Sequence, residues 1–178
     1  MSDIIVCAVY EPRETHLAVR LSRDLENHRH EMSIIQVPTM ETTTKPGQIL
    51  DALHRHPDQM VVMLDIDARV VATLNELPLL VRGDIGMVMR AHFQRRGWRP
   101  LPPRFAVRTG LIAARQTPGA RRFLATWDRL IRLRFGEIDR SPASLAVWES
   151  EDVSFSPLPA RFAATRLDGL LFATVEFY

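Results

Sequence analysis

Two aspartates that follow a short apolar run give the clearest chemical signal in this sequence. Residues 61–64 are apolar, and Asp65 and Asp67 come directly after them, separated by one residue. In an extended chain, residues i and i+2 point the same way, so the two carboxylates are expected to converge and to repel each other unless a cation or a shared proton relieves them. Hard carboxylate oxygens suit Mg²⁺ or Mn²⁺, which commonly join protein acids to substrate phosphates. The spacing therefore predicts a metal–diphosphate site, and two solvated acids at a strand end are the alternative.

The basic residues are distributed unevenly. All of the 23 basic residues except Lys45 are arginines, and twelve of them lie between Arg90 and Arg134, a segment with a single acid, Asp128. That segment carries a formal charge of +11, whereas the whole chain carries +2. The asymmetry favours an anionic partner, such as nucleotide phosphates, an acidic acceptor or nucleic acid, and solvated helix faces are the alternative.

Length and composition fit one soluble domain, because the chain has 178 residues, of which 46% are hydrophobic and 25% charged. A domain of this length buries about 70% of its unfolded surface. No apolar run is long enough for a membrane span, and the N-terminus lacks the features of a secretory signal. Cys7 is the single cysteine. We therefore expect no internal disulfide, a buried strand position for Cys7 and a cytoplasmic protein.

Strands and helices are predicted to alternate along the chain. β-branched and apolar runs indicate strands, and apolar residues at helical spacing, such as Leu17, Leu21 and Leu25, indicate helices. This order predicts an α/β fold with a mostly parallel sheet and helices on both faces, in which ligands gather at the carboxyl ends of the strands. We expect strands at 4–9, 32–37, 60–64, 85–89, 105–107, 111–114, 153–155 and 170–177, helices at 12–27, 45–56, 73–81, 117–135 and 142–148, and an exposed excursion at 92–103.

In this order the motifs resemble those of the GT-A-type nucleotide-diphospho-sugar transferases, in particular small bacterial relatives of glycosyltransferase family 8. Leu64-Asp65-Ile66-Asp67-Ala68 is similar to the family's metal motif, and Lys45-Pro46 with its helix is similar to the family's lysine–proline segment. Further similar segments are Val9-Tyr10, Asp84-Ile85 through Arg90, Thr109-Gly110-Leu111-Ile112, Thr117 through Trp127, and Leu158-Pro159 through Phe162. The resemblance covers nearly the whole chain and implies a single GT-A-like, Rossmann-like nucleotide-sugar-binding domain over residues 1–178.

The resemblance implies a glycosyltransferase that moves a sugar from a nucleotide-diphosphate sugar, expected to be a UDP-sugar, to an acceptor that it does not identify. Asp65 and Asp67 would hold Mn²⁺ or Mg²⁺, and Glu176 is a further candidate ligand. The residues expected to bind the nucleotide sugar are Tyr10, Lys45, Asp65, Arg90, Arg108, Thr109 and Gly110. The sequence assigns no catalytic base, no donor sugar, no linkage and no anomeric outcome.

Two departures from the family pattern leave a second interpretation open. Ser141-Pro142 occupies the place of the family's Asp-Gln pair, and no histidine follows His92, whereas many relatives carry a metal-binding histidine after the last strand. The chain is also short for the family. The alternative is a degenerate, non-catalytic transferase-like domain that binds nucleotide sugar, glycan or nucleic acid, of which nucleic acid is the least favoured. A phosphohydrolase of the haloacid dehalogenase type is disfavoured, because that type needs a lysine downstream of its aspartates and none follows Asp65.

Overall fold

The structure is a computed structural model and describes residues 3–40, 44–92, 95–96, 99–100, 104–133, 140–165 and 175–177. Its strands are β1 (Ile4–Tyr10), β2 (Met32–Gln36), β3 (Met60–Leu64), β4 (Arg69–Val70), β5 (Ile85–His92), β6 (Arg95–Arg96), β7 (Arg99–Pro100), β8 (Arg104–Ala114), β9 (Phe155–Pro157), β10 (Ala164–Thr165) and β11 (Val175–Phe177). Its helices are α1 (Thr15–Asn27), α2 (Lys45–Arg55), α3 (Leu77–Leu80), α4 (Pro118–Leu133) and α5 (Arg140–Glu149). Within the described residues, the central sheet has six strands in the order β2-β1-β3-β8-β5-β9, and a smaller sheet has the order β10-β11-β4.

All strands of the central sheet except β8 run in one direction. β1 pairs in parallel with β2 and β3, and β5 pairs in parallel with β9. β8 lies antiparallel between β3 and β5. The predicted mostly parallel sheet is therefore confirmed, and the carboxyl ends of β1, β3 and β5 lie at one edge, where β8 enters.

Alternating side chains of β1 point into two separate parts of the core. Val6 belongs to the cluster on the face covered by α1, where Leu21 and Leu25 are fully buried. Ile5 and Cys7 belong to the cluster on the opposite face, which is covered by α2, α4 and α5. Helices on both faces are thus confirmed. Burial raises the pKa of the Cys7 thiol to about 11, so Cys7 is a protonated core residue, as predicted.

Helix α4 contributes the largest side chains of the second cluster. Trp127 and Phe123 are fully buried, and the Phe123 ring lies 5.9 Å from Trp127 and 5.2 Å from Phe155, edge to face in the second case. Offset and edge-to-face rings at these distances add to the stabilisation from burial. This helix fixes α2 and the strand ends against each other on the site's side of the sheet.

Several predicted bounds differ from those observed. The helix predicted at 73–81 is reduced to Leu77–Leu80, because Pro78 has no N–H to donate and fits only the first turn of a helix. The two strands predicted at 105–107 and 111–114 are one continuous strand, β8, which includes an irregularity at Thr109-Gly110. The predicted excursion at 92–103 begins with His92, the last residue of β5, and contains the short paired strands β6 and β7. Its remaining residues lie outside the described ones. Of the strand predicted at 170–177, Val175–Phe177 is described.

Helices in the described part of the chain are all too short or too polar to cross a membrane.

Candidate functional site

Strand β3 delivers the two aspartates to the carboxyl edge of the sheet. All of its residues are buried, and the chain turns immediately after Leu64: the Ala68 N–H donates to the Asp65 carbonyl oxygen at 3.0 Å. Asp65 and Asp67 thus sit in a turn and not in an extended strand end, so the geometric reason for their convergence was wrong. Both nevertheless line one open cavity of about 490 Å³.

Helix α2 places Lys45 beside the first aspartate. Thr44 caps the helix, since its hydroxyl oxygen accepts the Gly47 N–H at 3.2 Å, and Pro46 occupies the first turn. From this position the Lys45 ammonium pairs with Asp65 Oδ1 and donates to the Thr109 carbonyl oxygen at 2.6 Å. The Lys45 side chain is 10% exposed and that of Asp65 is 44% exposed. The ammonium is therefore held from the interior side, and the carboxylate faces the cavity.

An irregularity in β8 brings the main chain of Thr109 and Gly110 to Lys45 and Asp65. Met87 pairs with Ile112 and Val88 pairs with Arg108, so residues 109–111 have no partner on β5. Bulges of this kind are frequent beside active sites, because they redirect backbone groups. The Gly110 carbonyl oxygen accepts the Asp65 N–H at 3.0 Å, and that of Thr109 accepts from Lys45. The main-chain carbonyl oxygens of Thr109 and Gly110 thus hold Lys45 and Asp65 in place, and neither residue lines the cavity itself.

The electrostatics of the aspartates favour a bound cation. The pKa of Asp67 is raised above its ordinary value, first by burial and then by the negative charge of Asp65, and the charges of Lys45 and Arg20 oppose this shift. Arg20 also donates to the Asp67 carbonyl oxygen at 2.8 Å. Two like charges this close stabilise any cation placed between them and phosphate.

The residues fit a divalent cation as a partial ligand set. In the described part of the chain, no group of three or more His, Cys, Asp or Glu side chains could hold a metal ion. Mg²⁺ commonly takes one or two carboxylates and completes its shell with substrate phosphates and water. A metal-bound carboxylate is usually also hydrogen-bonded by a neighbour, which matches the contact of Asp65 with Lys45.

Tyr10 and Arg108 are not among the residues that line the cavity, and the side chain of Arg90 is not described, so the binding roles of all three stay predictions. The Tyr10 hydroxyl donates to Gln36 Oε1 at 3.2 Å, and Val9 lines the cavity instead of Tyr10. Arg108 is half-buried in β8 opposite Val88 and is not a lining residue. Arg90 pairs with Ala106 in β5, and its side chain lies outside the described atoms.

The candidate third metal ligand, Glu176, is related to the aspartates by the pairing of its strand. Glu176 in β11 pairs with Arg69, two residues after Asp67, and its side chain is not among those described. Its role as a ligand stays a prediction.

The cavity also contains residues that sequence reasoning missed. Gln48 and Ile131 lie on the side of α2 and α4, and Glu14 and Leu17 lie on the side of α1. Gln48 could have been found from its helical spacing, because it follows Lys45 by three residues and therefore shares its face. Ile131 had no such signal, since only packing brings α4 to this edge. The lining residues are Val9, Glu14, Leu17, Met40, Thr44, Lys45, Gln48, Leu64, Asp65, Ile66, Asp67 and Ile131.

The segment that departs from the family pattern begins a helix. Ser141 and Pro142 lie in the first turn of α5, where proline is well tolerated, and Pro142 is buried. The Val107 N–H donates to the Ser144 hydroxyl at 3.3 Å, which joins this helix to β8. Pro142 is not among the residues that line the cavity.

Several arginines of the basic segment have partners within the protein. Arg115 donates to the carbonyl oxygens of Val81 and Pro78 at 2.6 and 2.7 Å. Arg129 pairs with Glu149 at 2.8 Å, and Arg132 pairs with Asp128 at 2.7 Å. These arginines support packing and surface ion pairs, which weakens the case for a continuous nucleic-acid-binding face.

The fold is similar to those of solved glycosyltransferases. A glycosyltransferase involved in the glycosylation of the major capsid of PBCV-1 superposes with a TM-score of 0.64 at 13% identity, over 98% of this chain and 91% of that one. The apo structure of the bifunctional glycosyltransferase WbbM gives a TM-score of 0.65 at 11% identity, over 99% of this chain and 46% of that one, so this chain spans less than half of WbbM. No family model and no curated protein matches the sequence. At these identities the likeness shows a Rossmann-like glycosyltransferase fold, and membership of family 8 stays a prediction.

Proposed function

We propose that this protein transfers a sugar from a nucleotide-diphosphate sugar, expected to be a UDP-sugar, to an acceptor, with Mn²⁺ or Mg²⁺ as cofactor. The observation that carries this proposal is the junction of Asp65 and Asp67 with Lys45 at an open cavity on the carboxyl edge of the sheet. In open α/β sheets this edge is where ligands bind. The similarity of the fold to two solved glycosyltransferases supports the same reaction class.

In this proposal Asp65 and Asp67 hold the cation and Lys45 adds a fixed positive charge. When bound, the divalent ion neutralises negative charge that develops on the leaving nucleoside diphosphate. Lys45 keeps one Asp65 oxygen in place, which orients the other toward the cavity. Apolar residues of the wall, such as Leu17 and Ile131, exclude water from part of the cavity and so strengthen the charged contacts.

The test is a thermal unfolding experiment with UDP and a panel of UDP-sugars, each in the presence of Mn²⁺ or of a chelator. A ligand that binds only the folded state raises the melting temperature by mass action. We expect a rise that requires the metal, and we expect Asp67→Asn to abolish it without lowering the melting temperature of the free protein.

The matched control is Asp58→Asn, which changes an exposed aspartate at the opposite edge of the sheet. This variant should respond to ligand as the wild type does. An equal rise in the presence of chelator would contradict the metal's role. No rise with any nucleotide or nucleotide sugar would contradict the proposal as a whole.

A second candidate is a domain of the same fold that binds nucleotide sugar without turning it over. It is favoured by the burial of Pro142 in the first turn of α5, where the family resemblance leads one to expect a polar Asp-Gln pair. The two candidates differ in one measurement, the release of UDP from UDP-sugar over hours at high protein concentration. Slow hydrolysis that Asp67→Asn abolishes supports the transferase, and binding without UDP release supports the second candidate.

A further inference from the structure

The side-chain amide of Gln48 is a polar group of the cavity to which the proposed mechanism assigns no role. Gln48 is 8% exposed and lines the cavity together with Thr44 and Lys45. Among the described residues, its side-chain amide makes one hydrogen bond, which Nε2 donates to Met40 Sδ at 3.7 Å. A thioether is a weak acceptor, so this contact satisfies the amide poorly.

The chemistry of an amide in this position calls for a ligand with both donors and acceptors. A glutamine side chain has two N–H donors and a carbonyl oxygen with two lone pairs. Polar groups in proteins are nearly always hydrogen-bonded, so an amide on the wall of a cavity takes its further partners from solvent or from a ligand. The open cavity of about 490 Å³ gives room for the missing partners.

Helical geometry puts this amide close to the diphosphate end of the cavity. Gln48 follows Lys45 by three residues and Thr44 by four, so the three side chains share one face of α2. Three residues correspond to about 5 Å along the helix axis. Lys45 pairs with Asp65, and Gln48 lines the same cavity as Asp65 and Asp67, so a group attached to a diphosphate held at the aspartates would share this cavity with Gln48.

We propose that Gln48 hydrogen-bonds hydroxyl groups of the transferred sugar and thereby determines which donor sugar is preferred. A sugar ring carries vicinal hydroxyls that donate and accept, as the amide does, and its pyranose edge matches a partly polar, partly apolar wall. This inference rests on the proposed function, since it requires a nucleotide sugar in the cavity. The competing assignments for Gln48 are recognition of the nucleobase and a purely structural contact with Met40.

The experiment measures affinity by isothermal titration calorimetry with Mn²⁺ for UDP, UDP-glucose, UDP-galactose and UDP-N-acetylglucosamine, and for GDP and GDP-mannose. The variants are Gln48→Met, which keeps the length of the side chain without its amide, and Gln48→Leu, a second apolar replacement with a different shape. Gln59→Met is the matched control, because Gln59 lies at the opposite edge of the sheet. Circular dichroism and the ligand-free melting temperature check that each variant folds.

We expect the wild type to bind one nucleotide sugar more tightly than the corresponding nucleoside diphosphate. Gln48→Met and Gln48→Leu should lose that advantage, about ten-fold in affinity for one well-formed hydrogen bond, while their affinity for the nucleoside diphosphate is unchanged. Gln59→Met should keep it.

Three results would overturn the assignment of Gln48. If both apolar variants keep the advantage, Gln48 does not contact the sugar. If they weaken the nucleoside diphosphate and its sugar equally, Gln48 reads the nucleotide or supports the fold. If the wild type binds the diphosphate but no sugar adds affinity, this inference fails and the proposed nucleotide site stands. A wild type that binds no nucleotide at all removes the proposed function as well.

Discussion

The ammonium of Lys45 lies 2.6 Å from the carbonyl oxygen of Thr109. This contact joins the first turn of α2 to the irregular part of β8, two segments that are separated by 64 residues in the chain. Because Lys45 also pairs with Asp65, the lysine connects three elements at the carboxyl edge of the sheet. The site is therefore organised by an internal cation even before a ligand binds.

Replacing this cation should affect both stability and binding. In Lys45→Met the Thr109 carbonyl oxygen loses the Lys45 donor, and the charges of Asp65 and Asp67 repel each other with only the charge of Arg20, among the described residues, left to oppose the repulsion. We expect a loss of about 1–2 kcal/mol in the free energy of unfolding, less than for a fully buried pair because Asp65 is partly exposed. Urea denaturation measures the loss, and titration with UDP and Mn²⁺ measures the effect on binding.

The outcome separates two roles of Lys45. If its charge serves the phosphates, UDP affinity should fall by more than the stability loss explains, and raising the salt concentration should narrow the difference from wild type. Unchanged UDP affinity in a folded Lys45→Met protein would contradict the assignment of Lys45 to the nucleotide-sugar site. Lys45→Arg tests geometry, because the larger guanidinium has to fit the same interior position.

At the opposite edge of the sheet, Asp84 stabilises the start of α4. Its carboxylate accepts the Thr117 hydroxyl at 2.6 Å and both the N–H and the hydroxyl of Ser154 at 2.8 Å. Replacing Asp84 with alanine removes these acceptors, so we expect a loss of about 1–2 kcal/mol in the free energy of unfolding, as measured by urea denaturation at pH 7. Asp152→Ala, a change at an exposed position nearby, is the control and should have little effect.

Acid should also remove the stabilisation that the Asp84 carboxylate provides. Burial raises the pKa of Asp84, but the hydrogen bonds from Thr117 and Ser154 outweigh it and hold the pKa below the ordinary 3.8. A carboxyl whose folded pKa is lowered stabilises the protein at pH values above its unfolded pKa, and the contribution is lost as the pH falls through the folded pKa. The difference in stability between wild type and Asp84→Ala should therefore shrink as the pH is lowered below 3.8. A difference that stays constant as the pH is lowered further below 3.8, while both proteins still fold, would show that the carboxylate's charge is unimportant.

His30 should make the protein sensitive to mild acid. Its Nε2 accepts the Leu74 N–H at 2.9 Å, and its Nδ1 is buried without a hydrogen-bond partner among the described residues. Burial and, to a lesser degree, the charge of His28 lower the pKa of His30 below its ordinary 6.5. Protonation would turn the accepting nitrogen into a donor that faces another donor.

The lowered pKa of His30 determines how the stability of the protein changes with pH. The folded state resists a proton that the unfolded state binds, so stability is complete above pH 6.5 and falls as the pH drops from 6.5 toward the folded pKa. We expect His30→Gln, which keeps an acceptor but does not titrate, to flatten this part of the stability profile. His54→Gln changes an exposed histidine and should leave the profile as in wild type. Equal slopes for wild type and His30→Gln between pH 7 and pH 5.5 would exclude the role of His30.

Local patterns in the sequence were enough to predict the layered fold, with helices packed on both faces of a sheet. The β-branched, apolar run at 4–9 predicted a buried strand, and the helical spacing of Leu21 and Leu25 predicted the core-facing side of a helix. The apolar run before Asp65 likewise located the aspartates at the carboxyl edge, since a fully buried parallel strand ends where the chain meets solvent. The start of α2 at Lys45-Pro46 was also predicted, because proline is favoured in the first turn of a helix.

Tertiary structure alone decided which side chains meet at the site. No local rule joins Lys45 to Thr109 or brings Ile131 to the cavity, because these contacts depend on how α2, α4 and the irregular strand β8 pack on the sheet. Tyr10 was expected to face the ligand, but its hydroxyl pairs with Gln36, because the register of β1 and β2 places these residues side by side. Sequence periodicity states which face of an element a residue occupies, whereas pairing register and helix packing determine what that face touches.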